Sequence, residues 1–130
     1  MPRTSGRSPL STAQLEIMSV VWERGETTVG EVWKELAVRR KVARNTVLTL
    51  MTRLEQKGWL RLRGDGNTNL YRAAASREDT IGGMLGQLVD TAFGGSVEGL
   101  VLTLISSRGV SKDEAARIRT MIGQAERGKQ

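Results

Sequence analysis

Asn45, Thr49, Thr52 and Gln56 recur at the spacing that puts side chains on one helical face. Their chemistry is hydrogen bonding without charge. Asn and Gln amides can bond an adenine edge through two hydrogen bonds, and Thr offers a hydroxyl to a base or phosphate and a methyl to thymine. Thr46, Leu48 and Arg53 flank the row, and the one acid of the segment, Glu55, stands toward its end. An ordinary solvated helix face carries Glu and Lys. Threonine is a poor helix former, so three of them here call for another explanation. Cations frame the same segment: Arg39, Arg40, Lys41 and Arg44 precede or open it, and Arg61, Arg63 and Arg72 follow it. Of these and Arg53, the candidates for gripping a phosphate backbone are Arg40, Lys41, Arg44, Arg53, Arg63 and Arg72. Arg24 and Lys34 are read as solvated charges.

What the chain lacks narrows the chemistry further. It has no histidine and no cysteine. That removes disulfides, thiolate or imidazole metal sites, and nucleophiles or bases of those types. Neither paired carboxylates nor a glycine-rich phosphate loop occur, and Gly64-Asp65-Gly66 is explained as a turn. An enzyme therefore lacks its chemical groups, and no cofactor or metal is expected. The net charge is +6, and 13 of the 20 basic but only 7 of the 14 acidic residues lie in the first 75 positions. The whole excess sits there, so the first part is expected to meet a polyanion. No apolar run approaches the roughly 20 residues of a membrane span. The opening MPRTSGRSPLS is basic without an apolar stretch after it and is not read as a signal peptide. A cytoplasmic protein is expected.

These residues need elements to hold them. Ser11 with Gln14 makes a capping box ahead of Leu15, Ile17, Met18, Val21 and Trp22, and Gly25 ends that helix. Thr27-Thr28-Val29 suits a brief strand. Thr28 with Glu31 makes a second box before a helix to about Arg40, with Val32 and Leu36 inward. The third helix runs from about Arg44 to Lys57 on a stripe of Val47, Leu50, Met51 and Leu54, and Gly58 caps it. Trp59 to Arg63 then alternates apolar and basic residues, Gly64 to Asn67 turns, and Leu70 to Ala73 returns as a second strand. Helix, helix, helix and hairpin, in that order, is the pattern of a winged helix-turn-helix whose third helix enters the major groove.

Three more helices follow. Ser76 with Asp79 opens the first, Ser96 the second, and Ser111 with Glu114, a third box, the last. Gly82, Gly83 and Gly86 weaken the first, and the tail from Arg127 is expected to fray. The stripe residues Leu85, Leu88, Leu100, Leu104, Ile118 and Ile122 need burial, and 55 residues are few for an independent core. Pairing with a second copy is the expected solution. The fold class is thus mainly α with a small β wing. Residues 1–9 form a flexible basic arm containing Arg3 and Arg7, 10–75 a winged-helix DNA-binding domain and 76–130 a helical dimerisation domain. A competing reading is a winged-helix protein-interaction module without specific DNA binding.

The ordered set LSTAQLEIMSVVWERG, VGEVWKEL, NTVLTLMTRLEQKGWL and NLYRA, continued by GLVLTLI and SKDEAARI, resembles the BlaI/MecI family, the penicillinase-type repressors. The resemblance implies an N-terminal winged helix, a C-terminal helical dimerisation domain, and repression by a homodimer at an inverted-repeat operator. It also implies that Asn45, Thr46 and Thr49 face bases. Three departures matter. Ala43-Arg44 stands where the family often has Ser-Pro, so the usual cap is missing. The copper-responsive branch uses a C-terminal cysteine motif that this chain lacks. In the β-lactam branch a membrane-bound sensor protease cuts an Asn-Phe bond, for which Thr103-Leu104 stands here.

Overall fold

A computed structural model describes residues 7–66 and 68–128; Arg3 of the basic arm and Asn67 of the turn lie outside them. The elements are α1 (Thr12–Arg24), β1 (Glu26–Thr27), α2 (Val29–Arg39), α3 (Arg44–Gln56), β2 (Leu60–Asp65), β3 (Thr68–Ala73), α4 (Arg77–Ala92), α5 (Val97–Arg108) and α6 (Lys112–Gly128).

Local chemistry starts most of the helices. Ser11 Oγ accepts from the Gln14 amide at 3.1 Å, and Gln14 Oε1 accepts from the Ser11 amide at 2.9 Å. Thr28 and Glu31 repeat the arrangement at 3.1 and 3.0 Å. Ser76, Ser96 and Ser111 accept from the amides of Asp79, Gly99 and Glu114. At Ser111 only this half of the expected box forms among the described residues. The N-cap of α3 is Ala43, which makes no side-chain cap bond, so α3 is held by packing instead.

The three strands form one antiparallel sheet in the order β1-β3-β2. Glu26 faces Arg72 and Thr27 faces Tyr71, while β2 and β3 pair from Leu60 with Ala73 out to Asp65 with Thr68. The hairpin is longer than its turn residues suggest: Gly64 and Asp65 belong to β2, and Gly66 turns the chain with φ +69°. Helices α1 to α3 and the base of this sheet enclose one core of Ile17, Met18, Val21, Val32, Leu36, Val47, Met51, Leu54, Trp59, Leu60 and Tyr71. Leu62 follows the same alternation yet is exposed, because β2 runs out past that core as a wing.

Each of the three tryptophans is anchored by its indole N–H to a backbone carbonyl. Trp22 donates to Ala75, Trp33 to Val42, and Trp59 to Ser8, at 2.9, 2.9 and 3.0 Å. The last bond holds the end of the basic arm expected over residues 1–9. Arg7 adds to it, donating to the Gly58 carbonyl at 3.0 Å and lying 5.2 Å from the Trp59 ring centre, so this part of the arm is tied to the α3–β2 junction.

The chain divides within α4 into two compact units, one through Leu85 and one from Gly86. In the second unit Val89 alone is buried among the described residues, and α5 and α6 bury nothing. The glycines of α4 do not break it. Helix α6 continues past Arg127, whose guanidinium folds back within 3.3 Å of where a Cβ would stand at Gly123.

The end of α3 makes a testable point. Gly58 has φ +88°; its amide donates to Glu55 and that of Trp59 to Leu54, which closes the helix and turns Trp59 onto buried Leu54. A Cβ at Gly58 meets only the Arg7 side chain, at 4.0 Å, but the backbone region is wrong for it. Gly58→Ala is expected to lower stability by roughly 1–2 kcal/mol in urea unfolding.

Candidate nucleic-acid interface

Burial of Val47, Met51 and Leu54 fixes the rotation of α3. The opposite side then carries Asn45, Leu48, Thr49 and Thr52, related as i, i+3, i+4 and i+7, and all four are exposed. Thr46, Arg53 and Gln56 are exposed beside them. The Thr52 hydroxyl donates to the Leu48 carbonyl at 2.8 Å. The one acid of the helix, half-buried Glu55, stands toward its C-terminal end, one turn beyond Thr52.

The start of α3 is held by its neighbours. The Trp33 bond to Val42 fixes the link from α2. Gly30, on the first turn of α2, leaves room for the Arg44 guanidinium, whose Nη2 lies 3.5 Å from where a Cβ would stand.

The carboxylates sort the cations into two groups. On α1 and α2, Glu16 takes Arg40 at 2.8 Å and Arg39 at 3.9 Å, Glu35 takes Arg39 and Arg24 at 3.5 Å each, and Glu31 takes Arg24 at 3.3 Å. On the sheet, Arg63 grips Glu26 with two bonds, Nε at 3.0 Å and Nη2 at 2.8 Å. Lys41, Arg44, Arg53, Arg61 and Arg72 are exposed and form no ion pair among the described residues. Strand register puts Glu26, Arg72 and Arg61 side by side across β1, β3 and β2, on the same face as Arg63. Among the described side chains, three arginines share that face with one glutamate. Like charges directly opposite destabilise a sheet, so Arg61 facing Arg72 is a cost that an approaching anion relieves.

The residues expected to read bases, Asn45, Thr46 and Thr49, therefore share one exposed helix. Lys41, Arg44, Arg53 and Arg72 surround α3 or lie on the wing and form no ion pair among the described residues, whereas Arg40 and Arg63 are already engaged within the protein. Leu85, Leu88, Leu104, Ile118 and Ile122 are exposed, and Leu100 is half-buried. Thr103 and Leu104 sit in the middle of α5, with the Thr103 carbonyl accepting from Ser107 Oγ at 2.7 Å. Two features escaped the sequence. Glu26 meets Arg63 across 37 positions, which no local pattern signals. Arg61 was visible through its alternation with Leu60 and Leu62, but only register shows that it faces Arg72.

The family model described as penicillinase repressor matches residues 10–124. Among curated relatives, the methicillin resistance regulatory protein MecI of Mammaliicoccus sciuri is 23% identical over 115 residues, covering 88% of this chain and 94% of that protein. The transcriptional regulator BlaI of Mycobacterium tuberculosis is 27% identical over 121 residues, covering 92% and 86%. A solution structure of the DNA binding domain of the repressor BlaI superposes with TM-score 0.50 at 31% identity, over 54% of this chain and 85% of that one.

The hydrogen-bonded Arg63 guanidinium holds the Glu26 carboxyl below the ordinary glutamate range, against a smaller opposing effect of desolvation. A depressed folded-state pKa means that the pair's contribution is present above the ordinary glutamate pKa and disappears as pH falls through the lowered value. A carboxyl-carbon NMR titration is expected to show Glu26 titrating below an ordinary glutamate, and moving back up in Arg63→Gln.

Proposed function

The chain belongs to the penicillinase repressor family, and on that premise we propose that it is a sequence-specific DNA-binding transcriptional repressor acting as a homodimer on an inverted-repeat operator. The observation that carries this reading is the outward face of α3: exposed, polar and uncharged along Asn45, Thr46 and Thr49, and framed by cations that form no ion pair among the described residues. Polar side chains of these types discriminate base edges, each good contact contributing about 1–3 kcal/mol. Lys41, Arg44, Arg53 and Arg72 supply sequence-independent attraction to phosphates. Arg40 and Arg63 join them only by exchanging Glu16 and Glu26 for phosphate oxygens. The role is binding rather than catalysis, in the cytoplasm; no single helix among the described residues is long and apolar enough to cross a membrane.

Two copies are needed for a two-fold operator. The stripe residues, exposed Leu85, Leu88, Leu104, Ile118 and Ile122 with half-buried Leu100, are the surface that a second chain covers. Joining two headpieces raises the effective concentration of the second at its half-site, which is how a modest single-site affinity becomes useful repression. Relief by a membrane-bound sensor protease acting at Thr103-Leu104 requires α5 to open first, since a protease takes an extended segment and this bond is helical.

Titration against duplex DNA is expected to show affinity falling by about 0.9 log unit per log unit of salt for each phosphate neutralised, with Arg44→Ala lowering that slope by about one contact. Affinity that does not change with salt returns the chain to a protein-interaction module. Thr49→Ala is expected to weaken selected-site binding about tenfold and bulk DNA binding little. Leu104→Asp is expected to yield monomers in sedimentation and to lower operator affinity; a wild-type monomer at micromolar concentration overturns the dimer.

A further inference from the structure

Leu48 is the one large apolar side chain on the outward face of α3, and it is 40% exposed. A lone exposed leucine is ordinary on a protein surface. Its neighbours make this one different. Asn45 precedes it by one turn, Thr49 adjoins it, and Thr52 follows at i+4. The Thr52 hydroxyl hydrogen is committed to the Leu48 carbonyl at 2.8 Å, so Thr52 retains no free donor and has a methyl group and an acceptor oxygen to offer, one turn on from Leu48. Leu48 lies within the surface assigned to base reading, where the other exposed side chains are polar or cationic.

We propose that Leu48, together with the Thr52 methyl, is a specificity-determining element that selects thymine by its C5-methyl group. The proposal rests on the DNA-reading function above and deepens it. The major-groove edge of thymine is the one that carries a methyl. A leucine facing it removes apolar surface from water on both sides. Facing the cytosine amino group or the guanine acceptors, the same leucine strips their water and offers no hydrogen bond in return. Leu48 therefore favours thymine twice, by attraction to its methyl and by penalising the alternatives. Asn45 and Thr49 read the neighbouring positions through hydrogen bonds.

The probe is a pool of random-sequence duplex DNA selected by the full-length chain. The selected site is then rebuilt with deoxyuridine replacing thymidine at one position at a time, a change that deletes only the methyl. Wild type is expected to lose roughly fourfold in affinity at one thymine of each half-site, the worth of burying one methyl group. In Leu48→Ala, which keeps α3 helical, that thymine-to-uracil ratio is expected to fall to about one. Thr52→Ser, which keeps the hydroxyl and its bond to Leu48, is expected to lower the ratio in part. Equal affinity for thymine and uracil at every position overturns the proposal, and so does a ratio that Leu48→Ala leaves unchanged. A pool that yields no enriched sequence overturns the DNA-reading function itself, whereas enrichment without methyl dependence removes only the role of Leu48.

Discussion

The rotation of α3 about its own axis governs everything at the surface of the first unit. Val47, Met51 and Leu54 are fully buried, and no other setting of the helix puts all three in the core. Because side chains advance by a fixed angle along a helix, burying these three determines where Asn45, Leu48, Thr49 and Thr52 point. The helix has no side-chain cap at Ala43 to orient it. Its orientation comes instead from the core stripe, from the Schellman-type closure at Gly58 and from the Trp33 bond that holds the preceding link. The packing that stabilises the unit and the display of the outward face are one constraint.

Charge follows the same economy of position. Glu16, Glu31 and Glu35 lie on α1 and α2, where they hold Arg24, Arg39 and Arg40 in a connected set of ion pairs. Exposed pairs of this kind add little stability. Their effect is on the field: the positive charge of those helices is largely compensated, and the uncompensated part is left on α3 and the wing. Arg63 is intermediate, since its bidentate pair with Glu26 holds the side chain over the sheet face until a stronger anion arrives. Glu31, bonded first by the Thr28 amide and then by the Thr27 hydroxyl, has its carboxyl lowered as well, so the cap of α2 stays ionised together with the network around it.

What was legible in the sequence was whatever acts over a few residues. Ser11 with Gln14 and Thr28 with Glu31 announce their helices because each box is closed within four positions. The outward row of α3 follows from its buried stripe. Contacts that join distant parts of the chain were not legible. The pairing of Glu26 with Arg63 and the anchoring of Arg7 on Gly58 depend on how the sheet and the arm come to rest. Leu62 shows the limit of reading burial from alternation: strand period assigns a face, but only the size of the core decides how far along the strand that face stays covered. The stripes of α4 to α6 were readable as apolar surface, and the folded chain leaves most of them uncovered.

The placement of the tryptophans has a spectroscopic consequence. Trp22, Trp33 and Trp59 all lie in the first unit, each with its indole N–H on a backbone carbonyl at a junction: the exit from the sheet, the link into α3, and the arm. The second unit holds Phe93 as its single aromatic residue. Indole emission is therefore a local reporter of the first unit, whereas far-ultraviolet dichroism is dominated by helices from both. If the two units melt separately, the two signals trace different curves, and their divergence measures the cooperativity between units without any label being added.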